Sequence, residues 1–228
     1  DPTPIADMII GAVVGGLLGA KLYFVVVLGN WDALFTRGGF VFWGGLVGGA
    51  VGVLAIGKFK GVPLLRTMEV GAPSLAAAYA VGRTGCWAVG DDYGRPWDGP
   101  IATMFPEGAP PSTAAIMNTE FGVAFPPGTD PNAVMAVHPT QLYEVAMALV
   151  MFGIIWRFPR HQHREGWLFG VYLALAGVER FIVEFFRAKD DYLAIGRTIA
   201  QVIALTAALA GLVWLYAMRG PRDSVARA

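Results

Sequence analysis

Six stretches of the chain are almost continuously apolar, and each is about as long as one membrane-spanning helix. A spanning helix needs about 20 mostly apolar residues, and these stretches lack the polar face that a helix of a soluble protein turns to water. They run from Ile5 to Gly29, Gly38 to Gly57, Leu64 to Gly90, Gln141 to Phe158, Gly166 to Phe186 and Thr198 to Met218. The pattern predicts an all-α polytopic membrane protein with about six transmembrane helices, forming a single integral membrane domain over residues 1–228.

The composition agrees with this pattern and excludes several other classes of protein. Of the 228 residues, 55% are hydrophobic and 15% are charged, with a mean hydropathy of +0.53. Lys and Arg balance Asp and Glu at 17 each, so no basic surface for nucleic acid is expected. Cys86 is the single cysteine, which excludes an internal disulfide and a thiolate metal cage.

Basic residues in the connecting segments predict the orientation in the membrane. If each stretch spans the membrane, successive connecting segments alternate between its two sides, and three groups of basic residues lie on the same side. Cytoplasmic loops carry an excess of Lys and Arg, so this side is predicted to be cytoplasmic. The groups are Lys58, Lys60 and Arg66; Arg157, Arg160 and Arg164; and Arg219, Arg222 and Arg227. The segment 91–137 is therefore expected on the external side, rich in Pro and Gly and without a sustained helical or strand period. At that length, a lid or substrate-contacting loop is favoured over a passive connector.

Glycines recur at four-residue spacing in the first two apolar stretches. Small residues allow membrane helices to pack backbone to backbone. The spacing therefore predicts helix contact faces at Gly11, Gly15 and Gly19 and at Gly44, Gly48 and Gly52.

Ionisable residues in the fifth stretch form one helical face near its external end. Arg180, Glu184 and Arg187 are spaced i, i+4 and i+7, with Glu179 beside them, and a charge near the bilayer centre costs about 2.5 to 3.5 kcal/mol. Either Arg180 and Glu184 neutralise each other as a structural pair, or the face keeps a positive charge that binds an anion.

Arg83 lies among glycines at the external end of the third stretch. With Arg180 it would clamp one phosphate, since a guanidinium presents paired donors that match phosphate oxygens. The alternative, equally supported by charge alone, is a structural pairing of Arg83 with Asp91 or Glu144.

A third polar cluster runs from His138 to Glu144, where the fourth apolar stretch begins. Thr140 suits the N-cap position, and Gln141 and Glu144 follow on the first helical turn. His138 is the one histidine predicted on the external side, and its side chain suits proton transfer near neutral pH. A structural role for His138 is the competing interpretation.

These clusters, in this order, resemble the bacterial prolipoprotein diacylglyceryl transferases. The matching stretches cover most of the chain: Gly38-Gly39 through Trp43-Gly44-Gly45, Gly82-Arg83-Thr84-Gly85 through Gly94, His138 through Glu144, and Arg180-Phe181 through Glu184-Phe185-Phe186-Arg187. The resemblance implies transfer of the diacylglyceryl group of phosphatidylglycerol to the lipobox cysteine thiol of a prolipoprotein. It implies an enzyme of lipoprotein biosynthesis in the bacterial inner membrane, with its active site toward the periplasmic face and with no metal or cofactor.

In this interpretation the three polar clusters have different roles. Arg83 and Arg180 bind the phosphate, and His138 serves as the base. Seven further residues would shape the substrate cavity and hold its arginines in place: Asp91, Gly94, Gln141, Tyr143, Glu144, Glu184 and Arg187. The partners are phosphatidylglycerol, membrane lipid and the lipobox peptide.

The chain also departs from the family pattern. Trp43 stands where the family commonly has a histidine proposed as the base, Cys86 replaces a common asparagine, and Asp91 replaces a glutamate. The chain begins at the family's second membrane helix, so a first helix is expected to be missing. These departures support a second hypothesis, that of a non-catalytic relative acting as a phospholipid-binding or structural subunit beside other membrane subunits.

Overall fold

The computed structural model describes residues 3–36, 39–158, 163–188, 193 and 196–219. Seven α-helices and a short 3-10 helix, Trp31–Phe35, form in these ranges. The helices are α1 (Thr3–Leu28), α2 (Phe42–Phe59), α3 (Leu64–Val89), α4 (Ala114–Phe121), α5 (Thr140–Arg157), α6 (Trp167–Val183) and α7 (Ile199–Ala217). Four residues used above, namely Gly38, Arg160, Arg222 and Arg227, lie outside the described ranges.

The prediction of an all-α protein is confirmed in the described ranges, and the helices are consistent with a membrane protein. Three helices are long and apolar enough to cross a membrane: Pro4–Leu28, Phe42–Phe59 and Ile199–Ala217. The other three apolar stretches also fold as helices, α3, α5 and α6. These helices carry buried ionisable or amide side chains, among them Arg83, Glu144 and Glu179. The number of six spans stays a prediction.

The chain divides into two compact units, residues 1–68 and 69–228. In the first unit, α1 and α2 pack through their glycines, as the spacing predicts. A Cβ added to Gly11 would lie 2.8 Å from the carbonyl oxygen of Gly52, and one added to Gly19 would lie 2.8 Å from Gly48 Cα. Because glycine has no side chain, the backbones of α1 and α2 can approach each other this closely.

The second unit contains α3 from Glu69 onward and α4 to α7, and it has a core of small and aliphatic side chains. Ala72, Ala76 and Ala80 lie one turn apart on α3, and all three are buried against Ala148, Met151, Ile155 and Leu168. Glu69 on α3 accepts hydrogen bonds from the backbone N–H groups of Gly166 and Leu168, at 2.9 and 3.1 Å. These bonds satisfy donors at the start of α6 that have no intrahelical partner.

The segment 91–137 contains one helix that the sequence pattern did not predict. This helix, α4, begins after the N-cap Thr113 and ends at Gly122, whose φ of 65° is left-handed. Two turns are too short to show a helical period, so the capping residues were the available signal. Tyr93, Phe105, Met117 and Val137 form a second buried core within the segment.

Candidate active site

Five parts of the second unit bring their polar side chains together. They are the last turns of α3, the loop that follows it, the first turn of α5, the end of α6 and the N-terminus of α7. Tyr79 and Arg83 lie one turn apart on α3, and Arg180 and Glu184 one turn apart at the end of α6. Helical spacing thus aligns residues that hydrophobic packing then brings face to face.

Arg83 is buried, at 8% exposure, and pairs with two carboxylates. One guanidinium nitrogen donates to Asp92 Oδ2 at 2.9 Å, and the other contacts Glu144 Oε2. Of the two interpretations of Arg83, the structure therefore contains the structural pairing with Glu144. The second acidic partner is Asp92, where the sequence analysis expected Asp91.

Glu144 is 1% exposed and is the shared acceptor at the centre of the cluster. Besides Arg83, its Oε1 accepts a hydrogen bond from the Tyr79 hydroxyl at 2.9 Å and lies 4.0 Å from a guanidinium nitrogen of Arg180. A buried carboxylate is stable only with such partners. Glu144 thereby links α3, α5 and α6.

Arg180, Glu184 and Arg187 lie together, but only Arg180 and Glu184 do so through helical spacing, because α6 ends at Val183 and Arg187 pairs with Gly94 beyond the helix. Arg180 contacts Glu184 Oε2 at 2.9 Å, Arg187 Nε lies 3.9 Å from the same oxygen, and Thr198 donates to Glu184 Oε1 at 3.0 Å. Arg187 also pairs with Asp92. The positive charge that the sequence left on this face therefore meets a carboxylate from the loop after α3.

Asp92 joins Arg83 and Arg187 from outside the helices. Its φ of 57° lies in the left-handed region, which aspartate tolerates better than most residues. Burial alone would raise the pKa of its carboxyl, but Arg187 and Arg83 outweigh that effect and lower the pKa to about 2. Asp92 is consequently ionised across the physiological pH range.

Glu179 is the carboxyl group of the cluster with the fewest partners. It is 6% exposed, and its Oε1 meets no hydrogen-bond donor within the described residues. We name the cluster of Arg83, Arg180, Arg187, Asp92, Glu144, Glu179 and Glu184 the ionic network. It sets four carboxyl groups against three guanidinium groups, so it has no surplus of positive charge.

Backbone contacts position the loop after α3 against α5. Thr140 Oγ1 donates to the Asp92 carbonyl at 2.7 Å, and the Gln141 amide donates to the Asp91 carbonyl. Gly94 N–H donates to the His138 carbonyl at 2.8 Å. A Cβ on Gly94 would lie 2.7 Å from His138 Cβ, so glycine is required there by close packing.

His138 and Tyr143 lie together among aromatic rings. The His138 ring stacks on Trp97 at a centroid distance of 4.4 Å, and its Nδ1 lies 3.0 Å from the Tyr143 hydroxyl. Burial lowers the pKa of His138 from its ordinary value. The imidazole is therefore neutral at pH 7.

Cys86, Asp91 and Asp92 place potential metal ligands within 4.8 Å of one another. Both oxygens of Asp92, however, contact Arg83 and Arg187. Two adjacent guanidinium groups disfavour a cation. The arrangement thus favours an arginine-bound carboxylate over a metal centre.

The structure brings together five of the ten predicted site residues in the ionic network: Arg83, Arg180, Glu144, Glu184 and Arg187. Gln141, Gly94 and Asp91 support the adjacent loop. Asp92, Tyr79 and Thr198 also belong to the cluster and were not predicted as site residues. The Asp-Asp pair after α3 was a signal for Asp92, whereas nothing in the local sequence marks Tyr79.

Comparison with known proteins identifies the family. The model of the prolipoprotein diacylglyceryl transferase family matches residues 1–217. The chain belongs to this family. It is 31% identical to the phosphatidylglycerol–prolipoprotein diacylglyceryl transferase of Clostridium tetani, over 91% of this chain and 78% of the relative. It is 31% identical to that of Pseudomonas fluorescens, over 100% and 84%, and 30% identical to that of Corynebacterium diphtheriae, over 99% and 81%.

Membership of the prolipoprotein diacylglyceryl transferase family confirms the resemblance drawn from the sequence motifs. The motif residues Arg83, Glu144, Arg180 and Glu184 meet in one buried cluster of this family member. Trp43 lies in the first turn of α2 and is 54% exposed. Its indole N–H only donates hydrogen bonds, so it supplies no base.

Proposed function

We propose that the protein transfers the diacylglyceryl group of phosphatidylglycerol to the thiol of a lipobox cysteine in a prolipoprotein. The relatives compared above carry this activity in their names. The observation that supports it most directly is the ionic network, largely buried and built mostly from the motif residues of the family. Buried charge of this density in apolar helices is expensive and typical of a functional site.

The reaction moves negative charge from sulfur to a phosphate oxygen. The thiol loses its proton, sulfur bonds to the glyceryl carbon, the carbon–oxygen bond breaks, and glycerol phosphate leaves with the electron pair. Donors fixed in a water-poor site stabilise such developing charge. The protein therefore needs guanidinium groups at the phosphate and an acceptor for one proton.

Arg180 is the residue of the network best placed to contact the phosphate. Its side chain is 29% exposed, compared with 10% for Arg83 and 9% for Arg187. One of its terminal nitrogens is buried, lies 4.0 Å from Glu144 and has no hydrogen-bond acceptor among the described residues. Arg180 thus keeps donor capacity for a ligand while Glu184 fixes its orientation.

Arg83, Glu144, Asp92 and Arg187 hold this arrangement rigid in the proposal. Each links two parts of the chain, and together they tie α3, α5, the end of α6 and the loop after α3. Gln141, Asp91 and Gly94 fix the loop, and Tyr143 and His138 form an aromatic wall. Preorganisation of this kind is worth more to catalysis than flexible contact.

His138 is the proposed proton acceptor for the substrate thiol, in its neutral form. A free thiol has a pKa near ~8.5, so a weak base is sufficient near neutral pH. The lowered pKa of His138 keeps its imidazole deprotonated and able to accept a proton.

The membrane arrangement that we propose has six spans, with 91–137 and the site on the external, periplasmic side of the inner membrane. Segment 91–137 would act as a substrate-contacting loop. Cysteines introduced at Thr119 and Lys58, in a Cys86→Ser background, test the sides: an impermeant thiol reagent should label them from opposite faces. Labelling of both from one face would contradict the arrangement.

The activity is tested with purified protein, phosphatidylglycerol and a synthetic lipobox peptide. We expect a thioether product and one glycerol phosphate per product. The presence of Trp43 instead of a histidine supports a second candidate, a non-catalytic phospholipid-binding or structural subunit. A lack of thioether, with a stoichiometric membrane complex in mild detergent, would favour that candidate.

A further inference from the structure

A small polar cavity lies at the N-terminus of α7, next to the ionic network. Its volume is about 110 Å³, and its lining includes Arg95, Glu184, Phe185, Arg197, Thr198 and Gln201. One water molecule needs about 10 to 15 Å³ of such space. The cavity therefore accommodates a group of several heavy atoms, such as a phosphate.

Arg197 differs from the arginines of the ionic network in its partners. Its guanidinium lies 5.9 Å from the Phe181 ring centroid and 5.7 Å from that of Phe185. Within the described part of the chain, no carboxylate pairs with it, whereas Arg83 and Arg187 each contact two carboxylates. Arg197 thus adds a positive charge next to the ionic network, which has no surplus positive charge of its own.

The other polar groups of the cavity wall are arranged to tolerate an anion. Thr198 and Gln201 form a capping box in which Gln201 Oε1 accepts from the Thr198 N–H at 3.2 Å. This bond leaves the Gln201 amide group as a donor. Glu184, the one acid among the described residues of the lining, has its charge countered by Arg180 at 2.9 Å and accepts from Thr198 at 3.0 Å.

We propose that this cavity is a subsite for a phosphate ester, with Arg197 as its principal binding residue. The inference rests on the proposed function, because Glu184 separates the cavity from Arg180, the residue assigned to the reacting phosphate. A guanidinium beside two aromatic rings keeps its N–H groups available for paired hydrogen bonds to phosphate oxygens. Two sources share this chemistry: the headgroup of phosphatidylglycerol and the free glycerol phosphate that leaves.

The test compares the wild-type chain with Arg197→Gln, Arg197→Lys and the control Arg219→Gln. Arg219 is exposed after α7 and lies against Tyr216, away from the cavity. Each protein, reconstituted in nanodiscs, is assayed for turnover over a phosphatidylglycerol titration. Binding of glycerol phosphate and of inorganic phosphate is measured separately by calorimetry, and melting temperatures show whether each variant is folded.

Arg197→Gln is expected to raise KM for phosphatidylglycerol about tenfold, more than it lowers kcat, and to weaken glycerol phosphate binding about as much. Arg197→Lys should recover only part of either effect, because an ammonium lacks the paired donors. A change in KM alone assigns the subsite to the lipid headgroup, and a change in glycerol phosphate binding alone assigns it to the free ester. Unchanged values for both in folded Arg197→Gln would overturn the proposal.

The binding measurement separates this inference from the proposed function. Wild-type protein that binds glycerol phosphate through Arg197 but forms no thioether would refute the transferase and leave the subsite standing. Wild-type protein that forms thioether while Arg197→Gln behaves as wild type would refute the subsite and leave the transferase standing.

Discussion

The helix pair α1 and α2 and the helix group α3, α5 and α6 are both apolar in sequence, but they are held together differently. In the pair, glycine backbones touch, so that a Cβ on Gly11 would lie 2.8 Å from the Gly52 carbonyl oxygen. In the group, buried carboxylates and guanidinium groups connect the helices, with Glu144 contacting side chains from both α3 and α6. Glycine, the smallest residue, forms the contacts of the pair, whereas charged side chains, which are the most costly to bury, form those of the group.

This difference indicates which region is built for packing and which for chemistry. Close backbone contact costs little in a bilayer, because it leaves no polar group unpaired. A buried ion pair is no better for stability than well-packed apolar residues. The buried ion pairs among α3, α5 and α6 are therefore explained by function, whereas the glycine contacts of α1 and α2 are explained by packing alone.

The largest effect is expected from Arg180→Ala, which tests whether the charged region is catalytic. Turnover should fall by about two to three orders of magnitude, as when a donor to a developing oxyanion is removed. Arg180→Lys should recover little of it, because the paired donors are lost. The control is Arg157→Ala at the exposed end of α5, and full activity of Arg180→Lys would contradict the phosphate contact.

Glu144→Gln tests whether the charged region also holds the helices together. The change leaves the buried Arg83 guanidinium without its Glu144 partner, and breaking a buried pair costs about 3 to 5 kcal/mol. The free energy of unfolding in detergent should fall by a comparable amount. Glu120→Gln, an exposed change at the end of α4, should leave it unchanged, and equal stability of the two variants would remove Glu144 from the centre of the network.

Gly11→Ala applies the same question to the glycine-packed pair. The new methyl group would meet the Gly52 carbonyl oxygen and Ile56 at 2.8 Å, and overpacking of this kind costs about 1 to 3 kcal/mol. Turnover per folded molecule should not change. Gly153→Ala is the matched control, because its Cβ would meet no heavy atom within 4 Å and alanine favours the helix. If both variants melt at the same temperature, the glycine contact does not limit the approach of α1 and α2.

The smallest effect is expected for His138→Gln and concerns pH. Burial lowers the pKa of His138 below its ordinary value of 6.5, so the unfolded chain binds a proton more readily than the folded one. Wild-type stability should therefore decline as the pH falls below about 6.5, and the variant should lose that dependence. Tyr143→Phe, which removes only the hydroxyl near Nδ1, should keep it.

The same variant also addresses the base. If His138 accepts the thiol proton, His138→Gln should reduce turnover most at low pH and least near the thiol's own pKa of ~8.5, where thiolate forms spontaneously. Initial rates across a pH series give this profile. An unchanged profile together with altered stability would assign His138 to the aromatic wall alone.

Much of the helical framework could be predicted from the sequence because it depends on local periodicity and length. All six apolar stretches coincide with helices, and the glycine spacing of α1 and α2 correctly indicated their contact. Helix α4 escaped prediction because two turns carry no period. Its caps at Thr113 and Gly122 were the signal that could have revealed it.

The sequence was enough to predict that Arg180 and Glu184 lie one turn apart, because that placement depends on helical spacing alone, whereas Arg187 lies beyond the end of α6 at Val183. Their partners were decided only by the tertiary structure. Asp92 rather than Asp91 meets Arg83 and Arg187, because a left-handed residue turns the chain there, and Tyr79 reaches Glu144 across 65 positions. Charge balance is a property of neighbours in space. For that reason the positive charge predicted on one helix face is met by a carboxylate, and the placement of Arg197 in the cavity wall becomes visible only once the helices are packed.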